Sequence, residues 1–141
     1  MPLNARAKRI FIAEDDRNLL ELLTTRLGLA GYETSFGRDG WEALEGIHIS
    51  RPAAIVLDVN MPRLDGFGVL RHLKKSSAVA SIPVMMLTAR NAPNDIREAL
   101  ALGAKDYLAK PFNDAMLLAR VARLLRPRPV VPAAASNEVL L

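Results

Sequence analysis

Residues 54–62 read AIVLDVNMP, a short apolar run that ends on a carboxylate, Asp58. A run of that length and make-up, rich in β-branched side chains, predicts a strand covered on both faces. The pattern also occurs near the start of the chain, where residues 10–20 read IFIAEDDRNLL. There the apolar run ends in three acids in succession, Glu14, Asp15 and Asp16. Neighbouring carboxylates repel one another unless a proton or a cation lies among them. If the two strands share one sheet, their acids meet at one edge, and a cationic partner is expected there.

Working outward, apolar runs alternate with helical patterns five times. Strands are predicted at 9–14 (RIFIAE), 32–36 (YETSF), 53–59 (AAIVLDV), 82–88 (IPVMMLT) and 105–110 (KDYLAK). Between them, Leu19, Leu20, Leu22, Leu23 and Leu27 recur at helical spacing, with Gly31 as a stop. Asp39 and Asn113 stand where N-caps belong, Pro93 near a first turn and Gly103 at a C-cap. Asp16 reads as the cap of the helix beginning at Arg17, and Asp65 and Gly66 as a turn into the third helix. Strands that alternate with helices form βαβ units, hence an α/β fold with one parallel sheet and helices on both faces. The more polar YETSF suits an edge.

Bulk properties narrow the function. A chain of 141 residues, half of them hydrophobic and 24% charged, fits one globular domain with a real core. No apolar run nears the roughly 18 residues that span a bilayer, and the N-terminus has no secretory signal. There is no cysteine, which excludes disulfides and thiolate metal sites and fits a cytoplasmic protein. The net charge of +4 comes from cations at the two ends, Arg6, Lys8 and Arg9, then Arg120, Arg123, Arg126 and Arg128. With two Tyr, four Phe and one Trp, no stacking platform accompanies them, so direct nucleic-acid binding is not expected. Trp41, His48 and His72 show no partner pattern and read as surface or packing residues, and Met85 and Met86 as core.

In open parallel sheets ligands bind outside the carboxyl ends of the strands. Those ends carry Glu14 and Asp15, Asp58, Thr88 and Lys110. Oxygen ligands of this kind suit Mg²⁺, which uses one or two carboxylates and shares phosphate oxygens. A carboxylate can also be a nucleophile and form an aspartyl phosphate. Mg²⁺ and Lys110 would balance charge on the transferred group, and Thr88 offers a hydroxyl donor.

IFIAEDD, IVLDVNMPRLDGFGVL, VMMLTA and GAKDYLAKPF, in that order, resemble the receiver domain of two-component response regulators over about Arg9 to Arg126. The resemblance implies a doubly wound, flavodoxin-like sheet in the order 2-1-3-4-5. Asp58 would be the phosphoacceptor, Asp15 a direct Mg²⁺ ligand, Glu14 a ligand partly through water, and Asn60 a ligand through its backbone carbonyl. Thr88 and Lys110 would bind the phosphoryl group, and Tyr107 would be the switch aromatic. Asn60 and Arg90 would flank the phosphoryl group, and the Lys110–Pro111 bond would be cis. The donor would be a histidine kinase or phosphotransfer protein. The output would be a downstream partner or self-association through the fourth helix, fifth strand and fifth helix. The chain would be no enzyme but a phosphoacceptor that assists its own phosphorylation and dephosphorylation.

Asp106 and Arg120 match the charged set through which many such regulators dimerise. Met116 stands where a glutamate is usual and Lys105 where an acid is common, which argues for a more hydrophobic contact. Residues 1–126 read as the receiver domain and 127–141, with three prolines, as a tail or linker. The expectation leans to a stand-alone receiver; the receiver portion of a longer regulator and a receiver-like module that takes no phosphate are the alternatives. A phosphatase of the haloacid dehalogenase type needs a second acid two residues after its nucleophile, where this chain has Asn60. A flavodoxin-like flavin binder would set three acids against its cofactor's phosphate.

Overall fold

The predicted alternation is present throughout the computed structural model, which describes residues 7–89 and 92–127. Its elements are β1 (Arg9–Ala13), α1 (Arg17–Leu29), β2 (Glu33–Gly37), α2 (Gly40–Ser50) and β3 (Ala54–Asp58), then α3 (Gly66–Lys74), β4 (Val84–Ala89), α4 (Pro93–Ala101), β5 (Asp106–Lys110) and α5 (Asp114–Leu124). All strands pair in parallel, in the order β2-β1-β3-β4-β5. The polar strand β2 is indeed an edge. Arg90 and residues 128–141, with Arg128 and nearly all of the expected tail, lie outside the described residues, as does Arg6.

Period-two alternation divides the core. Ile10 and Ile12 of β1, Ala54 and Val56 of β3, and Met85 and Leu87 of β4 pack under α1 and α5. Their neighbours Phe11, Ala13, Ile55, Leu57, Val84 and Met86 pack under α2, α3 and α4. A slip of one residue would exchange the two sets, so the register is fixed by burial on both faces. Among the described residues no helix is long and apolar enough to cross a membrane.

The helix starts follow local chemistry. Asp16 accepts from the amides of Asn18 and Leu19, Asp39 from Glu42, Asp65 from Gly68 and Asn113 from Met116. Asp65 is therefore a cap as well as a turn residue. Gly31, at φ 97°, closes α1 and lets the amide of Tyr32 reach back to the Leu27 carbonyl at 3.0 Å. That bond takes Tyr32 into the helix end, so β2 starts at Glu33. At β4, Pro83 has no N–H to give, but its carbonyl accepts from Ile55 at 2.9 Å before the strand begins at Val84. Trp41 and His72, which show no partner in the sequence, meet edge to face across α2 and α3 with ring centres 5.2 Å apart.

Candidate functional site

Parallel pairing brings the carboxyl ends of β1, β3, β4 and β5 to one edge of the sheet. Asp58, the last residue of β3, is in register with Leu87, so Thr88 lies one step beyond it on β4. Lys110 closes β5 opposite Ala89. Its Nζ donates to Asp58 Oδ1 at 3.0 Å and to Glu14 Oε1 at 3.3 Å. Glu14 is 1% exposed, Asp58 3% and Thr88 0%, so all three are interior polar groups at the end of an apolar sheet. Asp15 is partly exposed, and Asn60 stands exposed in the loop after β3. Asp16 faces the helix instead, and its backbone N–H donates to Glu14 Oε2 at 3.1 Å.

One oxygen from each of Glu14, Asp15 and Asp58 lies within 4.8 Å of the others. When all three are ionised, Lys110 balances only one of the three charges. Burial, and then the nearby Asp58, raise the Glu14 carboxyl from 4.5 to about 7. Burial pulls the Lys110 ammonium down, but Asp58 and Glu14 outweigh it and hold the group above its ordinary value.

The Glu14 shift has a measurable consequence. Between pH 4.5 and about 7 folded Glu14 keeps a proton that unfolded Glu14 has lost. Stability must therefore fall as pH rises through that window. In the presence of a chelator the loss is expected to be on the order of 2 kcal/mol, read by urea unfolding at several pH values. Glu14→Gln should flatten the slope, and an unchanged slope in that variant would place the titrating group elsewhere.

Thr88 Oγ1 is buried and has no hydrogen-bond partner among the described residues. An interior hydroxyl left unpaired is costly unless a ligand completes it. Two further residues shape the site and were not assigned to it from sequence. Gly66 begins α3 against the end of β3, where a Cβ would lie 2.3 Å from the Asp58 carbonyl oxygen. Arg38 Nη2 donates to the Asp15 carbonyl at 3.2 Å and braces the acidic loop from the β2 side. The LDG stretch at 64–66 signals a turn; only the folded chain reveals the contact.

Tyr107 is half-buried against the layer under α2, α3 and α4. The Arg120 guanidinium lies 5.9 Å from its ring centre and donates to its carbonyl at 2.6 Å. Asp106 and Arg120, the expected intermolecular charges, pair within the chain at 3.1 Å, and Arg123 joins them at 2.6 Å. The Lys110–Pro111 bond is cis.

Residues 10–122 match the family model described as the response regulator receiver domain. The chain belongs to this family. The receiver domain is 46% identical over 118 residues to Response regulator MprA of Mycobacterium ulcerans, an alignment covering 84% of this chain and 50% of that protein. It spans about half the length of the curated relatives it matches. Chemotaxis response regulator CheY4 of Vibrio cholerae superposes with a TM-score of 0.81 at 32% identity, covering 85% of this chain and 100% of that one. The receiver domain of sensor histidine kinase PA1611 from Pseudomonas aeruginosa superposes at 0.79 and 29% identity, covering 85% and 98%; it carries a magnesium ion coordinated in its active-site cleft. The 2-1-3-4-5 order is thus shared with receiver domains.

Proposed function

We infer that this receiver domain is a two-component phosphoacceptor, taking a phosphoryl group onto Asp58 from a histidine kinase or phosphotransfer protein in the cytoplasm. A carboxylate oxygen of Asp58 attacks phosphorus of a phosphohistidine. The new P–O bond forms as the P–N bond breaks, and the imidazole nitrogen leaves with the electron pair. Lys110, already on Asp58 at 3.0 Å, moves its charge to the oxygens of the arriving group, and the Thr88 hydroxyl donates to one of them. The oxygen donor set and its excess negative charge suit Mg²⁺, with Asp15, Asp58 and the Asn60 carbonyl as direct ligands and Glu14 partly through water. When bound, the ion would neutralise the developing charge on the phosphoryl oxygens. Asn60, exposed in the loop after β3, would set how openly water reaches the group. The chain works as a phosphoacceptor that assists its own phosphorylation and dephosphorylation, with no separate substrate to turn over.

Downstream, Thr88 and Tyr107 move inward and remodel the face made by α4, β5 and α5, to which a partner or a second copy binds. The unpartnered Thr88 hydroxyl beside a buried, lysine-paired Asp58 is the observation that carries this reading. Intact mass after acetyl phosphate and Mg²⁺ tests it: one phosphoryl group is expected, and none with EDTA. No added mass under any condition would leave an interaction module that takes no phosphate. Thr88→Val should melt at the same temperature or higher, because the lost hydroxyl has no partner among the described residues, yet accept phosphate on the order of tenfold more slowly. An unchanged rate would remove Thr88 from the chemistry.

A further inference from the structure

The turn from β2 into α2 touches both the loop of Asp15 and the loop of Asn60. On one side, the Gly37 carbonyl accepts from the Glu14 amide at 3.1 Å, and Arg38 Nη2 donates to the Asp15 carbonyl at 3.2 Å. On the other, a Cβ on Gly40 would overlap the Leu64 carbonyl oxygen, so the start of α2 lies directly on the loop after β3. Arg63 Nη1 donates to Asp39 Oδ2 at 3.1 Å and ties that loop to the turn. The turn itself is locked. Asp39 Oδ1 accepts from the Glu42 amide at 2.8 Å, and Glu42 Oε1 accepts from the Arg38 amide at 3.2 Å.

Stability does not account for the Arg63 contact. Arg63 holds φ at 70°, in the left-handed region that disfavours a side chain. Its side chain is 65% exposed, where an ion pair adds little. A residue strained in this way persists where its surroundings fix a required geometry. The geometry fixed here is the course of residues 59–65, which includes Asn60 and closes where the Gly66 amide donates to the Val59 carbonyl at 2.8 Å. We propose that Asp39 and Arg63 are positioning residues that make the site favour Mg²⁺ over the larger Ca²⁺, a role that rests on the metal site of the phosphoacceptor reading. They do so by holding the Asn60 loop against the same turn that braces Asp15. Mg²⁺ demands near-octahedral oxygens at about 2.0–2.1 Å, whereas Ca²⁺ accepts an irregular set at about 2.3–2.6 Å. A loop free to drift therefore costs Mg²⁺ binding more than Ca²⁺ binding. Charge alone would act differently: losing Arg63 would tighten both ions, and losing Asp39 would weaken both.

Two-dimensional amide NMR of the full chain, titrated with MgCl₂ or CaCl₂ and read at Asp15 and Asn60, tests this. Arg63→Gly adopts the same φ freely and should melt no lower than the wild type, yet bind Mg²⁺ about tenfold more weakly. Asp39→Ser keeps a cap for the Glu42 amide but has no second oxygen for Arg63, and should lose Mg²⁺ affinity to a similar extent. Ca²⁺ affinity should change by less than about twofold in both. Arg63→Lys, which can still reach Asp39 with a single bond, should stay within about threefold of the wild type for Mg²⁺. Opposite changes in the Arg63→Gly and Asp39→Ser variants, equal losses for both ions, or unchanged Mg²⁺ affinity beside normal phosphorylation would overturn the positioning role alone. A wild type in which Mg²⁺ moves neither amide would overturn it too, and absence of added phosphoryl mass would then show that the phosphoacceptor reading fails with it.

Discussion

Asp58→Asn is expected to gain no phosphoryl group under conditions in which the wild type gains one, as read by intact mass. An amide nitrogen has its lone pair delocalised and cannot displace the leaving imidazole, so the substitution removes the nucleophile while keeping the side chain's shape. The fold should survive. Asp58 is nearly isosteric with asparagine, and Lys110 keeps its contact with Glu14 at 3.3 Å. Stability at pH 7 should be equal or higher by about 1 kcal/mol, because one of the charges that raise the Glu14 pKa is gone. Mg²⁺ affinity should fall at least tenfold with the loss of a carboxylate ligand. A variant that still gained one phosphoryl group would move the acceptor to another residue.

Gly66→Ala should be among the most destabilising of small substitutions, by about 3 kcal/mol, with the melting temperature lowered by about 10 °C. The new Cβ would stand 2.3 Å from the Asp58 carbonyl oxygen and 2.9 Å from the Val59 Cα. Both are backbone atoms, so no side chain can rotate to make room, and α3 must move off the end of β3. The Gly66 amide, which donates to the Val59 carbonyl at 2.8 Å, would move with it. Gly28→Ala is the matched control. Nothing lies within 4 Å of a Cβ there, and alanine in α1 should stabilise by about 0.5–1 kcal/mol. Equal small effects at the two positions, measured by thermal unfolding, would contradict the close approach at Gly66.

The parts of this molecule legible in the sequence are those set by short-range rules. Asp16, Asp39 and Asn113 cap helices because each stands just before an apolar period, and their partners are two or three residues on. The strand-end constellation could be read because parallel topology sends every carboxyl end to one edge, whatever the loops do. Contacts across long separations were not legible. Nothing in the letters around Gly66 says that α3 starts in contact with the β3 backbone. Nor does Arg123 announce that it will claim the second oxygen of Asp106, which changes that residue from an available charge into an occupied one. The Trp41–His72 pair is of the same kind, joining helices whose relative position only the packed sheet decides.

The helix α4 begins at Pro93 without a side-chain cap and buries only Ala99. Each of the other four helices buries at least three residues and carries a capped start. Resistance to local opening is therefore unevenly distributed, and α4 is where thermal fluctuation meets the least of it. A segment that uncovers only Ala99 of one apolar layer when it lifts can be displaced by a small bias. The sheet then acts as a stiff mount, and a chemical event at its edge need only tip the one helix that was never firmly seated.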